Sequence, residues 1–190
     1  SAALVDDRHA RAVGARHDVA DAAADAPEHR GVGEIVADAL GGQHHELVFA
    51  VDLRDDDQLI GVDITDGSQS IMLFTSAGKA MRFKESDVRA MGRTACGVRG
   101  VKLGKDQRVI SLIIGDSGDV MTVTENGYGK RTAVDQFPIK GRGGMGVISV
   151  KTSERNGEQV GAVRVEDDDE IMLITNGGTL VRTRVADVSQ

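Results

Sequence analysis

The sequence has no tryptophan, one tyrosine, four phenylalanines and one cysteine in 190 residues. With aromatics at 3%, any core must rest chiefly on Val, Ile, Leu, Met and Ala. The single thiol, Cys96, excludes an internal disulfide framework and fits a reducing compartment. No apolar run approaches the roughly 18 residues that a membrane-spanning helix needs, and the N-terminus lacks a basic-then-apolar signal pattern. No histidine follows His45, so a Cys96–His nucleophile has no partner downstream. These absences predict a soluble cytoplasmic protein with no membrane contact. Acidity is also missing where the net charge of −7 implies it. Residues 1–56 hold 12 Asp/Glu and 5 Lys/Arg, whereas residues 57–190 hold 18 of each. An anionic partner such as nucleic acid therefore stays open for the larger part.

Residues 1–45 are rich in Ala, Asp, Val, His and Arg and hold all five histidines (His9, His17, His29, His44, His45). No apolar stripe recurs at helical spacing. Adjacent His44 and His45 point apart, and no Cys or carboxylate pattern completes a tetrahedral metal set. The expectation is a solvated, poorly ordered segment. Its abundant residues all use GC-rich codons, which fits a translated alternative reading frame ahead of a genuine domain.

From about Leu47 the composition changes. Leu47–Leu53 and Gln58–Ile64 read as strands. Three segments then superimpose without a gap: Ile71–Phe83, Val120–Thr132 and Ile171–Thr183, offset by 49 and 51 residues. Each reads as strand, tight turn, strand. Asn126-Gly127 and Asn176-Gly177 predict two-residue type I′ turns, with Ala77-Gly78 a weaker form. Further β-rich runs precede the hairpins at Leu59–Ile64, Val109–Ile114 and Val160–Val165. A glycine loop recurs as well: Gly92-Arg93-Thr94-Ala95-Cys96-Gly97-Val98 and Gly141-Arg142-Gly143-Gly144-Met145-Gly146-Val147. Each loop leads into a predicted strand, Val98–Leu103 or Val147–Lys151. Four strands per period of about 50 residues imply an all-β, propeller-like array of sideways-stacked sheets. The near-continuous apolar runs predict strands buried on both faces. The units fall at about 57–103, 106–152 and 159–190, giving an incomplete array of about three blades.

Several motifs make the family visible. They are Leu59-Ile60-Gly61-Val62-Asp63, Arg82-Phe83-Lys84-Glu85-Ser86, Val88-Arg89-Ala90-Met91-Gly92, Gly97-Val98-Arg99-Gly100, Asn126-Gly127-Tyr128-Gly129-Lys130-Arg131-Thr132 and Leu180-Val181-Arg182-Thr183-Arg184-Val185. In these, residues 57–190 resemble the C-terminal DNA-wrapping domain of the bacterial DNA gyrase A subunit, in its later blades. Residues 1–45 do not share the resemblance. The resemblance implies a β-pinwheel, whose blades exchange a strand with their neighbours and whose rim bends duplex DNA. The family's first-blade box has the form Gln-Arg-Arg-Gly-Gly-Lys-Gly. Here Lys140-Gly141-Arg142-Gly143-Gly144-Met145-Gly146 keeps Arg142, Gly143, Gly144 and Gly146 of it.

The candidate DNA contacts are Arg82, Arg131 and Arg182 at equivalent hairpin positions, with Lys84, Lys130 and Arg184 beside them, and Arg89, Arg93, Arg99, Lys140 and Arg142 around the glycine loops. The competing reading is a solvated face neutralised by the turn aspartates. Tyr128 reads as a strand tyrosine, Cys96 as a loop filler and Asp167–Glu170 as a charged turn rather than a calcium loop. The resemblance implies a non-catalytic, non-sequence-specific DNA-binding module with no cofactor of its own. ATP and Mg would act elsewhere in an ATP-hydrolysing type II topoisomerase, where the rest of gyrase A together with gyrase B would complete negative supercoiling. The alternatives are the corresponding domain of the topoisomerase IV A subunit, or a propeller-like protein-interaction scaffold.

Overall fold

The computed structural model describes residues 3–5, 51, 53–54, 57–92 and 95–190. The histidines and most of the expected Leu47–Leu53 strand lie outside the described residues. The chain divides into two compact units, one of residues 1–16, 60–88 and 99–190, the other of residues 17–59 and 89–98. In the second unit the described residues are irregular, with turn bonds from Asp57 N–H to Arg54 O (3.1 Å) and from Ala95 N–H to Gly92 O (3.1 Å).

The first unit is all-β among its described residues, apart from three-residue 3₁₀ turns at Glu85–Asp87, Val134–Gln136 and Val185–Asp187. Its strands are β1 (Ala3–Val5), β2 (Ser70–Thr75), β3 (Lys79–Lys84), β4 (Val109–Ile114), β5 (Asp119–Thr124), β6 (Gly129–Ala133), β7 (Val147–Ile148), β8 (Gln159–Val165), β9 (Glu170–Ile174) and β10 (Leu180–Arg184). They form three antiparallel sheets, in the orders β4-β2-β3-β7, β6-β5-β8 and β1-β9-β10. All three expected hairpins are present.

The expected double burial follows from the two-residue side-chain period of a strand. On the first sheet Met72, Phe74 and Ala80 face the second, packing with Ile113, Val120, Val134 and Phe137. Their neighbours Met81 and Phe83 turn the other way and pack with Val101. On the second sheet Met121, Val123 and Val165 point to the third, against Ile171 and Val185.

The strands group differently from the expected units. β4 pairs with β2, so the run taken as the first strand of the second unit closes the first sheet. β7, from the second glycine loop, pairs Lys79 with Ile148 and Ala80 with Val147. A strand is thus exchanged between neighbours. Gln58–Ile64 forms no strand, and Val62 and Ile64 are 72% and 93% exposed. There the side chains of Asp57 and Asp63 accept from the next backbone N–H, an arrangement that competes with a ladder. Val98–Leu103 is also irregular. Conversely, β1 arises within a segment expected to lack order. Its main chain pairs with β9, the side of the third sheet that β4 and β8 occupy on the other two.

The hairpin turns are three-residue loops, not type I′. Gly127 N–H donates to Thr124 O (2.9 Å) and Thr124 N–H to Tyr128 O (2.8 Å), enclosing Glu125-Asn126-Gly127. Only the last loop residue takes positive φ: 72° at Gly78, 79° at Gly127 and 81° at Gly178. This is a type I turn closed by a left-handed glycine, which places the demand one residue later than an Asn-Gly dipeptide implies in the third hairpin.

Candidate nucleic-acid interface

The three hairpin arginines stand opposite methionines across the hairpin: Arg82 with Met72, Arg131 with Met121 and Arg182 with Met172. This parity aims Arg82 and Arg131 at the following sheet rather than at solvent. Arg82 Nε donates to Ser70 Oγ (2.8 Å), Nη1 to Val134 O (2.8 Å) and Phe137 O (3.2 Å), and Nη2 to Asp116 Oδ1 (2.9 Å). Its side chain is 7% exposed. Arg82 therefore belongs to a joint between the first two sheets and is not available to phosphate, contrary to the expectation from sequence. Hydrogen bonding from Ser70, and next the Arg82 guanidinium, hold the Asp116 carboxyl below its ordinary value, against the opposing effect of its partial burial.

Arg131 stands at the corresponding joint, where its main-chain N–H donates to Ser189 O (3.1 Å), past the third sheet's last strand, while its side chain stays with aspartates. It is 11% exposed and paired with Asp167, and its Nε lies 3.2 Å from Asp119 Oδ2, close enough for an ion pair but not aligned as a hydrogen bond. Arg182 is 69% exposed and paired with Glu170. Lys130 is half-buried and Arg184 exposed. In the second unit Arg89 is exposed, and Arg93 lies outside the described residues.

The remaining candidates meet on the outer edge of the first sheet. Ile139 bridges to Arg82 in parallel, and Lys140 N–H donates to Arg82 O (2.8 Å), laying the start of the second glycine loop along β3. The loop then turns onto residues 99–102. Gly143 N–H donates to Gly100 O (2.6 Å), and Lys102 N–H to Gly144 O (2.8 Å). Arg142 ties the turn down, with Nε on Asp87 O (3.0 Å) and Nη1 on Arg99 O (3.2 Å). Gly146, at φ 73°, passes so close to β3 that a Cβ would stand 2.4 Å from Ala80 O. Lys84, Arg99, Lys102, Lys140 and Arg142 are all exposed there. The nearby carboxylate of Glu85 accepts from Thr65 and from Gly67 N–H (3.0 Å).

Lys102 was not among the sequence candidates. The signal for it was Lys151, another exposed lysine one repeat later. Tyr128 is 40% exposed, with its hydroxyl accepting from Arg155 Nε at 3.0 Å. Cys96 is exposed. Among the described residues no helix is long and apolar enough to cross a membrane.

The family model for the DNA gyrase C-terminal domain, beta-propeller, matches residues 69–116, 118–166 and 169–190, more than half of the chain. The chain belongs to this family. The first matched stretch holds β2 to β4, the second β5 to β8 and the third β9 and β10, so the family's repeats begin about a dozen residues after the units drawn from the sequence, and β7 joins a sheet outside its own stretch. The chain is 62% identical over 143 residues to the DNA gyrase A subunit of Salmonella typhimurium, covering 75% of this chain and 16% of that protein. It is 59% identical over 154 residues to the one from Klebsiella oxytoca, covering 80% and 18%. The chain thus spans less than a fifth of these relatives. Among solved structures, the C-terminal domain of DNA topoisomerase IV matches with TM-score 0.71 and 27% identity, covering 77% of this chain and 46% of that one. The DNA gyrase A C-terminal domain matches with TM-score 0.65 and 28% identity, covering 76% and 50%. In gyrase-domain terms the chain is a row of β-pinwheel blades, and the basic edge lies on its first complete sheet.

Proposed function

We propose that this chain binds duplex DNA without sequence preference and holds it bent, as part of a gyrase A subunit. The observation that carries the reading is the gathering of Lys84, Arg99, Lys102, Lys140 and Arg142 on one sheet edge. These are flexible or forked cations on strand ends and loops, so they suit phosphate contact. The module itself performs no bond chemistry. In the assembled enzyme ATP, Mg and gyrase B would serve strand passage elsewhere, while this domain presents a curved DNA segment for negative supercoiling. Fold likeness alone also fits topoisomerase IV, but the 62% identity to a gyrase A subunit favours gyrase.

Binding by counterion release should give roughly 10⁻⁴–10⁻⁶ M affinity near physiological salt. The test is fluorescence anisotropy with a labelled duplex across a salt series. Changing Lys84, Arg99 and Lys140 together to Ala should flatten the plot of log K against log salt by about 0.9 for each phosphate no longer neutralised. An unchanged slope with intact circular dichroism removes this edge from the DNA path. Salt-insensitive capture of a protein in place of DNA would support the scaffold alternative.

A further inference from the structure

We propose that Arg82, which cannot reach DNA, is a positioning residue for the phosphate-contacting loop that starts at Lys140; the inference rests on the DNA reading above. The segment from Val134 to Lys140 leaves the second sheet and crosses to the edge of the first. Arg82 grips it at three points. Its guanidinium holds Val134 O and Phe137 O at 2.8 and 3.2 Å, and its own carbonyl holds Lys140 N–H at 2.8 Å. One residue thus fixes where the crossing segment leaves and where it lands, and Lys140 is the landing point.

The grip is anchored on its own sheet. Ser70 Oγ accepts from Arg82 Nε and donates to Gly115 O (3.0 Å), while Ser70 N–H donates to Asp116 Oδ2 (3.2 Å). Asp116 neutralises the buried cation, so Arg82 adds little charge to the rim. Its effect on DNA must pass through geometry. Lysine at this position keeps the charge but lacks the planar fork needed to serve Ser70, Asp116 and two carbonyls together.

The test is a double-mutant cycle on salt slope, with Arg82→Gln and Lys140→Ala apart and together in the full chain, read by anisotropy with a labelled duplex. Arg82→Gln alone should flatten the slope by about 0.9, the share of one phosphate, with Arg82→Lys close behind. In the Lys140→Ala background Arg82→Gln should change the slope little further. Additive losses would overturn the proposal, because they mean that Arg82 meets phosphate itself. An unchanged slope in folded Arg82→Gln would also overturn it. If Arg82→Gln does not fold, Ser70→Ala takes its place; it removes the Nε acceptor and the donor to Gly115 O while leaving the guanidinium on Val134, Phe137 and Asp116, and should show a smaller loss, again absent when Lys140 is gone. A parent protein without salt-dependent binding would instead overturn the DNA reading.

Discussion

The joints made by Arg82 and Arg131 occupy equivalent places and use the same residue, yet they are built differently. In the first, the residue two positions before the methionine that faces the arginine is Ser70, and the guanidinium is satisfied by a hydroxyl, two carbonyls and one carboxylate. In the second, that position is Asp119, and the arginine lies between two carboxylates, one of them on the 84%-exposed Asp167. The third hairpin continues the series with Glu170 and an open Arg182. As the arginine becomes more exposed, its local partner passes from hydroxyl to aspartate to glutamate. A buried guanidinium needs every N–H satisfied, whereas an exposed one is served by a single screened charge.

The largest expected difference comes from removing the guanidinium. Arg82→Met should cost about 3 kcal/mol, since it strands Asp116, Ser70 and two carbonyls at a closed joint. Arg182→Met should stay within about 1 kcal/mol, the range of surface pairs. Urea melts of both variants provide the check, and equal midpoint shifts would erase the distinction between buried and open joints.

The hairpin tips offer a second contrast. Gly78→Ala and Gly127→Ala both place a side chain at positive φ, at a cost of about 1–2 kcal/mol. At Gly78 the added Cβ would also stand 2.2 Å from Val150 O, while at Gly127 it meets nothing within 4 Å. Gly78→Ala should therefore melt clearly below Gly127→Ala. The reverse order would mean that the first tip is not held by the 149–150 segment.

A smaller effect concerns acid. Asp116 has a depressed carboxyl in the folded chain, so its contribution to stability is complete above the ordinary value of 3.8 and fades as pH falls through the folded value. Asp116→Asn should be less stable than the parent near neutrality, and the gap should close below pH 3.8. A gap that is constant in pH would detach the carboxylate from the joint. Least affected should be Asp119→Ser, which rebuilds the second joint on the pattern of the first. With Asp167 still paired to Arg131, the change should stay near about 1 kcal/mol in a urea melt.

The sequence carried the hairpins, the two-sided burial and the glycine loops, because each leaves a local mark: a repeat, an unbroken apolar run, a cluster of glycines. It misled about Arg82, since a basic residue between apolar neighbours looks like a solvent-facing one until strand parity is followed across to Met72. The needed clue was nonetheless present. Asp116 and Asp167 lie 51 residues apart, close to the 49 between Arg82 and Arg131, and paired recurrence of opposite charges marks a joint more than a binding face. Sheet membership was less legible. Pairing of β4 with β2 rather than with a downstream hairpin is a choice between equally apolar neighbours, made by packing across sheets. Pairing of β1 with β9 uses main-chain groups that any extended triplet supplies.

The exchanged strand also gives the molecule a timetable. β3 ends at Lys84, but the strand that covers its edge ends at Ile148, 64 residues later. On a ribosome adding roughly 5–20 residues per second, that edge would wait about 3–13 s for its cover. Arg82 would wait nearly as long for Val134 and Phe137. Each blade would then mature only as its successor emerges, and a pause in translation within residues 85–146 would leave an unpaired, apolar-flanked edge open to other nascent chains.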